Sequence, residues 1–456
     1  MHFGALILAA GQGTRMRSRI PKVLHNLAGK PLLSHVIETA RSINPNQISI
    51  IYGHGGEEVP TRLAAEDLQW IEQTEQLGTG HAVIQALPCL QRVDQVLILY
   101  GDVPLISGST LVSLLSCLNS CDLALLTMDL PNPTGYGRIV RDREDRISRI
   151  VEQKDATERE LDITEINTGI MAVSRPRLQA WLSRIDNNNA QKEYYLTDII
   201  ALAVEDGVNI QAVHPNSEEE VMGVNDRVQL AHLERYFHRQ QADNLMQSGV
   251  TLADPKRLDI RGNLKTGQDV YIDCNVIIEG DVQLADGVRV GPNVLLKNCT
   301  IGEETQIFAN SVLEEAQIGS GCRIGPFARV RPESQIADHV HIGNFVEIKK
   351  SQVADGSKIN HLSYIGDTEV GQKVNVGAGT ITCNYDGANK HRTIIGNGAF
   401  IGSDTQLVAP VTVGEGATIG AGSTITKDTP AGKLTLSRSK QMTLDDWQRP
   451  IKKPKT

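Results

Sequence analysis

This chain makes little use of aromatic rings, which supply 4% of its 456 residues. It also has no apolar run approaching the ~18 residues of a membrane span, and no basic stretch leading into an apolar one at its start. It therefore reads as a cytoplasmic protein. A basic excess is missing too. The formal net charge of −9 argues against non-specific nucleic-acid binding, although an acidic chain can still hold a local basic pocket. Cysteine is sparse and unpatterned. Cys89, Cys117, Cys121, Cys274, Cys299, Cys322 and Cys383 are odd in number and contain no Cys-x-x-Cys, so they read as reduced thiols rather than a disulfide framework or a zinc site.

What the chain has in plenty is Gly, 41 residues, and an aliphatic side chain at every sixth position over two long stretches. Ile318, Ile324, Val330, Ile336, Ile342 and Ile348 form one run, and Ile395, Ile401, Leu407, Val413, Ile419 and Ile425 form the other. Neither a helix nor a lone strand has a period of six, so this is an internal repeat. In the second run a small or β-branched residue stands two places earlier: Ala399, Thr405, Val411, Ala417 and Ser423. Gly often follows the aliphatic, as in Ile318-Gly319, Ile342-Gly343 and Ile419-Gly420. Hexapeptide repeats of this kind wind a parallel β-helix. Three hexads close one triangular coil, aliphatic side chains point inward, and Gly or small polar residues turn the corners. Both compositional oddities follow, because a narrow interior has no room for rings and tight corners suit Gly.

The N-terminal half has a different grammar. Ala5-Leu6-Ile7-Leu8-Ala9-Ala10 is an apolar run of strand length, broken by Gly11-Gln12-Gly13-Thr14-Arg15-Met16. A strand running into a Gly-rich turn offers its backbone N–H groups as a phosphate cradle. The third Gly of the dinucleotide fingerprint and the Gly-Lys-Ser/Thr of the P-loop are both missing, so neither standard reading fits. Arg15, and Lys22 after Pro21, add two fixed cations, which suits a triphosphate. Helical and strand patterns then alternate, as in an α/β domain with a largely parallel sheet. Residues 47–52 read as a strand ending at Gly53, and residues 96–100 as another ending at Gly101-Asp102-Val103-Pro104. Asp102 thus stands beyond the carboxyl end of a strand, where such sheets bind ligands. Two readings of it stay open: a Mg²⁺ ligand beside the cradle, or a turn-initiating Asp.

The opening Leu8-Ala9-Ala10-Gly11-x-Gly13-Thr14-Arg15-Met16 with Pro21-Lys22 resembles that of sugar-nucleotide pyrophosphorylases. So do Gln76-Leu77-Gly78-Thr79-Gly80-His81-Ala82, Tyr100-Gly101-Asp102, Gly135-Tyr136-Gly137-Arg138-Ile139 and Glu165-Ile166-Asn167-Thr168-Gly169, which fall in the family order. With a hexapeptide array appended, essentially all of the chain except about the last dozen residues resembles a bifunctional family. That family joins N-acetylglucosamine-1-phosphate uridylyltransferase to glucosamine-1-phosphate N-acetyltransferase. The resemblance implies an α/β Rossmann-like nucleotidyltransferase domain over 1–225 and a linker helix over 226–249. A left-handed parallel β-helix acetyltransferase domain would cover 250–436, and a tail 437–456.

In the first domain, the resemblance implies that the Gly11–Arg15 turn, Gly13 included, and Lys22 hold the phosphates of UTP. Gln73, Gly78 and Thr79 would meet the uracil, and Gly137, Glu152 and Asn167 the N-acetylglucosamine phosphate. Leu8, Ala9, Ala10, Tyr100 and Gly101 would complete the nucleotide site, and Asp102 and Asn225 would share Mg²⁺. Local sequence alone also admits a solvated Gln73, a surface Glu152 and a turn-forming Asn167. The chemistry needs no protein nucleophile. A sugar-phosphate oxygen attacks the α-phosphorus of UTP, and Arg15, Lys22 and Mg²⁺ neutralise charge as pyrophosphate leaves.

In the array, the resemblance implies that His361 is the base that deprotonates the sugar's 2-amino group, with a backbone N–H near Ala378 steadying the oxyanion. Arg331, Lys349, Tyr364 and Asn375 would hold glucosamine 1-phosphate. Ala378, Asn384, Tyr385, Ser403, Ala421 and Arg438 would hold acetyl-CoA. A single narrow prism offers no deep pocket, so the site needs a groove between copies, and a homotrimer is the expected unit. Small-molecule substrates, no nucleic acid and no membrane are the expected partners.

Three further expectations come from pattern. Residues 226–246 read as a helix capped by Asp226, with Leu230, Leu233 and Phe237 on one narrow stripe, Gly249 as its stop and His238 on a solvated face. The steps from Ile348 to Val353 and from Ile365 to Val370 are five, and that from Val376 to Ile395 is nineteen. Polar functional residues should gather at these breaks: Lys349-Lys350, Asn360-His361, Tyr364 and Asn384-Tyr385. The basic tail, with Arg438, Lys440, Arg449, Lys452, Lys453 and Lys455, either meets the 3′-phosphate of coenzyme A or is a solvated arm; past Trp447 we read it as the arm. Two rival functions remain. One is a single-activity sugar-1-phosphate nucleotidyltransferase whose array only regulates or oligomerises; it should lack His361 and the 382–392 excursion. The other is a non-catalytic assembly protein, which should lack Asp102 or the Gly11–Lys22 cradle. The chain has all of these.

Overall fold

The computed structural model describes residues 2–11, 13–53 and 56–452; Gln12 of the Gly-rich turn and Lys453 and Lys455 of the tail lie outside the described residues. The chain forms two compact units, Met1–Phe237 and His238–Thr456. No helix among the described residues is long and apolar enough to cross a membrane.

In the first unit the apolar opening becomes strand β1 (Phe3–Leu8), buried along its whole length. It is flanked by β2 (Gln47–Tyr52), β3 (Leu68–Glu72), β4 (Gln95–Tyr100), β5 (Leu123–Asp129), the hairpin β6 (Gly137–Arg141) and β7 (Ile147–Val151), β8 (Glu165–Ser174) and β9 (Ile210–Val213). The sheet order is β9-β5-β8-β4-β1-β2-β3. Side chains of β1 alternate between two cores: Leu6 and Leu8 face one, and Ala5 and Ile7 the other. Helix α2 (Thr79–Ala86) covers the first face; α1 (Leu32–Ser42) and α3 (Gly108–Cys117) cover the second. Burial on both faces explains why β1 is apolar without alternation.

The sheet is more mixed than the alternating pattern suggests. Strand β8 runs antiparallel to both β4 and β5. The chain leaves β5 at Asp129, makes the β6–β7 hairpin, and returns from Glu165, the register partner of Asp129. Only the single helical turn Glu158–Leu161 lies between the hairpin and β8, too short for the crossover that a parallel return requires.

Two further helices matter below: α4 (Asp198–Glu205) and α5 (Arg227–Gln247). Asp226 caps α5 by accepting from the N–H groups of Val228 and Gln229, both at 2.9 Å. Leu230 and Leu233 are buried in the first unit, with Phe237 against them. His238 corrects the sequence reading. It is 3% exposed, and its Nδ1 lies 3.2 Å from the backbone N of Ile260 and 3.1 Å from Gln241. A mostly polar helix thus buries a polar side chain where it satisfies a backbone N–H.

In the second unit the period of six becomes a stack of parallel coils. Ile272, Val290, Ile307, Ile324, Ile342, Ile359 and Val376 are successive register partners on one face. Every aliphatic of the two period-six runs is at most 4% exposed, and Ala399, Thr405, Val411, Ala417 and Ser423 are buried beside them. The polar ones among them bond to the coil itself: Thr405 Oγ1 donates to Gly402 O and Ser423 Oγ to Gly420 O, each at 2.6 Å.

The five-residue steps turn out to be ordinary corners. They also occur from Leu296 to Ile301 and from Leu313 to Ile318, far from the proposed site. Each passes a non-Gly residue in the left-handed region, namely Asn298 (φ 50°), Glu315 (47°), Lys350 (48°) or Asp367 (49°). The shorter step is a tighter turn of the prism and marks nothing by itself. The nineteen-residue step differs. Val376 pairs with Ile401 and Ile381 with Gln406, so a loop around residues 384–392 is pushed outside the coil. An antiparallel bridge, Tyr385 to Lys390, closes that loop.

Because the interior is filled by one aliphatic per face, truncation leaves a cavity that neighbouring coils cannot close. Ile342→Ala is expected to destabilise the second unit by about 2–5 kcal/mol, and Gln283→Ala, on the outer face, by less than about 0.5 kcal/mol, both measured by denaturant unfolding.

Candidate active sites

Leu8 and Tyr100 end parallel neighbouring strands in register, so the loops after β1 and β4 open on the same edge of the sheet. Of the residues implicated by sequence, Leu8, Ala9, Ala10, Gly11, Lys22, Gln73, Gly78, Thr79, Tyr100 and Asp102 line one cleft of about 460 Å³ there. Gln76 also lines it, its amide donating to the Ala10 carbonyl at 3.0 Å. Gly13 (φ +61°) packs directly on Lys22: a Cβ there would lie 2.6 Å from the Lys22 Cβ, so a side chain would displace the lysine. Arg15 is exposed on the short turn Thr14–Met16.

At the cleft floor, Lys22 Nζ forms an ion pair with Asp102 Oδ2 and donates to Asn225 Oδ1 at 3.3 Å. Asp102 and Asn225 are distant in sequence but tied through the backbone, with Val224 N donating to Asp102 O at 2.8 Å. Gln229 of α5 in turn accepts from Asn225 N at 2.7 Å. The Lys22 and Asp102 side chains are only 12% and 16% exposed, so each charge is shielded mainly by the other. Asp102 is therefore a cleft carboxylate, whatever it also does for the turn.

Gly137, Glu152 and Asn167 form a second group, and Tyr100 stands between it and the cleft floor. Burial raises the Tyr100 phenol, and the Glu152 and Asp102 carboxylates raise it further. Glu152 is no surface charge. Burial pushes its carboxyl up, opposed by a 3.1 Å hydrogen bond from Thr197 Oγ1. Its oxygens sit against Gly137, where a Cβ would lie 3.4 Å from Oε2. Asn167 does form a turn, its Oδ1 accepting from Gly169 N at 3.1 Å at a β-bulge. Thr197 was not singled out from sequence, and no local pattern marks it.

In the second unit the structure aligns one corner of the prism across successive coils. Leu362 N donates to Asn344 O (3.1 Å), Gly379 N to His361 O (3.3 Å), Asp404 N to Ala378 O (2.7 Å) and Gly422 N to Ser403 O (2.8 Å). Arg438 Nη1 donates to Ala421 O at 2.8 Å. His361, Ala378, Ser403, Ala421 and Arg438 are thus one line, rising about 4.8 Å per coil. Asn344 Oδ1 holds His361 Nδ1 at 3.2 Å, which turns Nε2 outward.

Around the corner from His361, Tyr364 curls over Gly366, whose register partner is Lys349. Asn384 is buried and donates to Asp367 Oδ2 at 2.5 Å. The Lys390 ammonium is pushed down by the neighbouring Lys349. Lys349 and Lys390 are thus neighbouring cations on the outside of the coil, and Lys390 is a residue the sequence reading did not single out, although its loop was marked. Arg331, one coil below, pairs with Glu347 at 2.7 Å. Tyr385 is 60% exposed and braces the loop by donating to Gly387 O. Asn375 is not brought into this group; it pairs with Lys358 on the adjacent face.

Family models divide the chain in the same way. The model of the MobA-like NTP transferase domain matches residues 5–161. That of the bacterial transferase hexapeptide (six repeats) matches 263–298, 298–332, 315–350 and 392–427. By class, then, this is a nucleotidyltransferase carrying a hexapeptide-transferase array.

Full-length relatives narrow the class. The chain is 58% identical to the bifunctional protein GlmU of Nitrosospira multiformis over 451 residues, 99% of this chain and 98% of that one. It is 59% identical to that of Methylococcus capsulatus over 449 residues (98% and 97%) and 54% identical to that of Idiomarina loihiensis over 456 (100% of both). The chain belongs to the bifunctional GlmU family.

Beside Glu152, Asp198 has its carboxyl raised to about 6 by burial and by the Asp186, Glu152 and Asp155 carboxylates. The folded protein therefore holds this proton more tightly than the unfolded chain, and stability from this group is lost as pH rises through about 6. Asp198→Asn should raise the melting temperature at pH 8 and give no gain below the ordinary carboxylate range, as followed by thermal unfolding at both pH values.

Proposed function

We propose that the chain makes UDP-N-acetylglucosamine in two steps. Glucosamine 1-phosphate is N-acetylated by acetyl-CoA on the β-helix; N-acetylglucosamine 1-phosphate then takes a uridylyl group from UTP in the α/β unit, releasing pyrophosphate. The line His361–Ala378–Ser403–Ala421–Arg438 carries this reading. It sets a base at one end of a track that an extended acyl-pantetheine chain could follow, with the cations Lys349 and Lys390 around the corner to receive a phosphate.

In the acetyl transfer, the outward Nε2 of His361 takes a proton from the 2-amino group as its nitrogen attacks the thioester carbonyl. The C–S bond breaks and CoA leaves. Imidazole suits this because it changes charge near neutral pH, and such a base contributes on the order of 10²–10⁴ in rate. The N–H of Ala378 faces the oxyanion. Arg331, Lys349, Tyr364 and Lys390 hold the sugar phosphate, while Asn384, Tyr385, Ser403, Ala421 and Arg438 hold the coenzyme.

In the uridylyl transfer, a phosphate oxygen of the sugar attacks the α-phosphorus of UTP in line with departing pyrophosphate. Gly11, Gly13, Arg15 and Lys22 bind the phosphates; Gln73, Gly78 and Thr79 meet the base; Gly137, Glu152 and Asn167 meet the sugar. Mg²⁺ fits Asp102 and Asn225. Their oxygens already converge on one cation, the Lys22 ammonium, and two hard oxygens leave positions for phosphate and water. Bound there, it would neutralise charge on the reacting phosphates.

A homotrimer belongs to this reading. Phe327, Phe345 and Leu362 follow the His361 corner as an apolar ridge, 48%, 55% and 63% exposed, with the two rings stacked at 5.3 Å. A second copy covering the ridge supplies the wall that one prism lacks, and lets Asn375 of one copy face the Lys349 group of another. Soluble phosphorylated substrates suit a cytoplasmic enzyme.

Two variants separate the steps. His361→Ala should abolish CoA release from acetyl-CoA and glucosamine 1-phosphate while pyrophosphate release from UTP and N-acetylglucosamine 1-phosphate persists. Asp102→Ala should do the reverse. Retention of acetyl transfer in the His361 variant contradicts the assignment.

A further inference from the structure

Gln73 is 4% exposed and lines the nucleotide cleft, so what its amide presents to a ligand is decided by the groups behind it. Its Nε2 lies 3.2 Å from the Gly78 carbonyl and 3.1 Å from His81 Nδ1. A carbonyl can only accept, so the NH₂ end of Gln73 must face Gly78. The flipped amide would set two oxygens against each other at that distance. The same NH₂ then donates its second hydrogen to His81 Nδ1, which fixes that nitrogen as the acceptor and leaves the ring proton on Nε2, 3.2 Å from exposed Gln85. The Gln85 atom at that distance is its amide nitrogen, so this tautomer requires the exposed Gln85 amide to turn its oxygen to the ring, which nothing else among the described residues holds in place. With both hydrogens used, Gln73 has only Oε1 left, and Oε1 is an acceptor.

The anchor itself is rigid. Gly78 (φ +109°) precedes α2, and its carbonyl also accepts from Ala82 N at 3.1 Å. A Cβ on Gly78 would lie 2.6 Å from Tyr194 O, so no other residue fits there without moving the Tyr194 segment. Gly80 N donates to that same Tyr194 carbonyl at 2.8 Å, and Leu196 N donates to Thr79 Oγ1 at 3.1 Å. His81, in the first turn of α2, is therefore held at a fixed place behind Gln73.

We infer that His81 is a positioning residue for nucleobase selection: by accepting from the Gln73 amide it leaves only the Gln73 oxygen to face the base. This rests on the reading of Gln73 as the group that meets the base. An acceptor-only edge pairs with the N3–H of uracil and opposes the N3 lone pair of cytosine, so the device selects UTP over CTP. Without the His81 acceptor one Gln73 hydrogen is left unsatisfied, and the amide can turn it toward the cleft, where it suits cytosine.

The test is the ratio of kcat/KM for UTP to that for CTP, measured on the full chain with N-acetylglucosamine 1-phosphate. His81→Leu removes the acceptor, and His81→Gln places its amide only at the Nε2 position. Both should lower the UTP preference by about tenfold or more, chiefly through a higher KM for UTP. His81→Asn, whose Oδ1 takes the place of Nδ1, should keep it. Gln73→Leu should lose it. If Gln73→Leu loses the preference while both His81→Leu and His81→Gln keep it, the inference about His81 fails and the role of Gln73 stands. Equal loss in His81→Asn also overturns it, because packing would then explain the effect. An unchanged preference in Gln73→Leu overturns the underlying reading of Gln73, and the inference with it.

Discussion

A triangular coil can bury its aliphatic side chains only by turning nearly everything polar outward, and the second unit depends on that constraint. The interior takes one aliphatic and one small residue per face, so no catalytic group can sit inside. Chemistry is confined to corners and to loops expelled from the coil. The register of the stack then does what a pocket does elsewhere: it repeats one corner at a fixed rise, and so places His361 and the residues above it on a line. The cost is that such a line has no second wall. The exposed Phe327–Phe345–Leu362 ridge runs along that corner, and a neighbouring copy that covers it would provide one.

The first unit solves a different problem, which is bringing a cation and hard oxygens together at the end of a buried parallel core. Strands β1 and β4 are apolar on both faces and end together, so their loops must carry the polar work. There Lys22 is wedged by Gly13 and neutralised by Asp102, while Asn225 is tethered to Asp102 through the backbone of Val224. A cation and hard oxygens in a cleft are what in-line phosphoryl chemistry needs, since no covalent help from the protein is called for.

Much of this was legible in the sequence, for reasons that differ by element. The prism could be read because a period of six has few physical causes, and every residue of the two runs is inward. The cleft could be read because Gly11, Gly13 and Lys22 lie in one short stretch, with Asp102 at a strand end. What escaped depends on distance or on compensation. Lys390 becomes notable only when its loop folds back beside Lys349; Thr197 only when α4 brings it to Glu152. His238 looked solvated because its helix is polar, and the backbone N–H that it satisfies belongs to Ile260. The five-residue steps looked like flaws because a left-handed corner at Glu315 or Lys350 needs no Gly to announce it. Strand β8 runs against the expected direction because a hairpin and a single helical turn, not a full crossover helix, precede it.

The central claim is that one chain performs two ordered group transfers, acetyl before uridylyl. It is tested most directly by giving the purified full-length protein acetyl-CoA, glucosamine 1-phosphate, UTP and Mg²⁺ together, and following free CoA, pyrophosphate and nucleotide sugar in the same vessel. The account predicts that CoA appears first, that pyrophosphate and UDP-N-acetylglucosamine follow in equal amounts, and that neither forms when acetyl-CoA is withheld. Nucleotide sugar formed from glucosamine 1-phosphate without acetyl-CoA, or UDP-N-acetylglucosamine in excess of CoA, would contradict it.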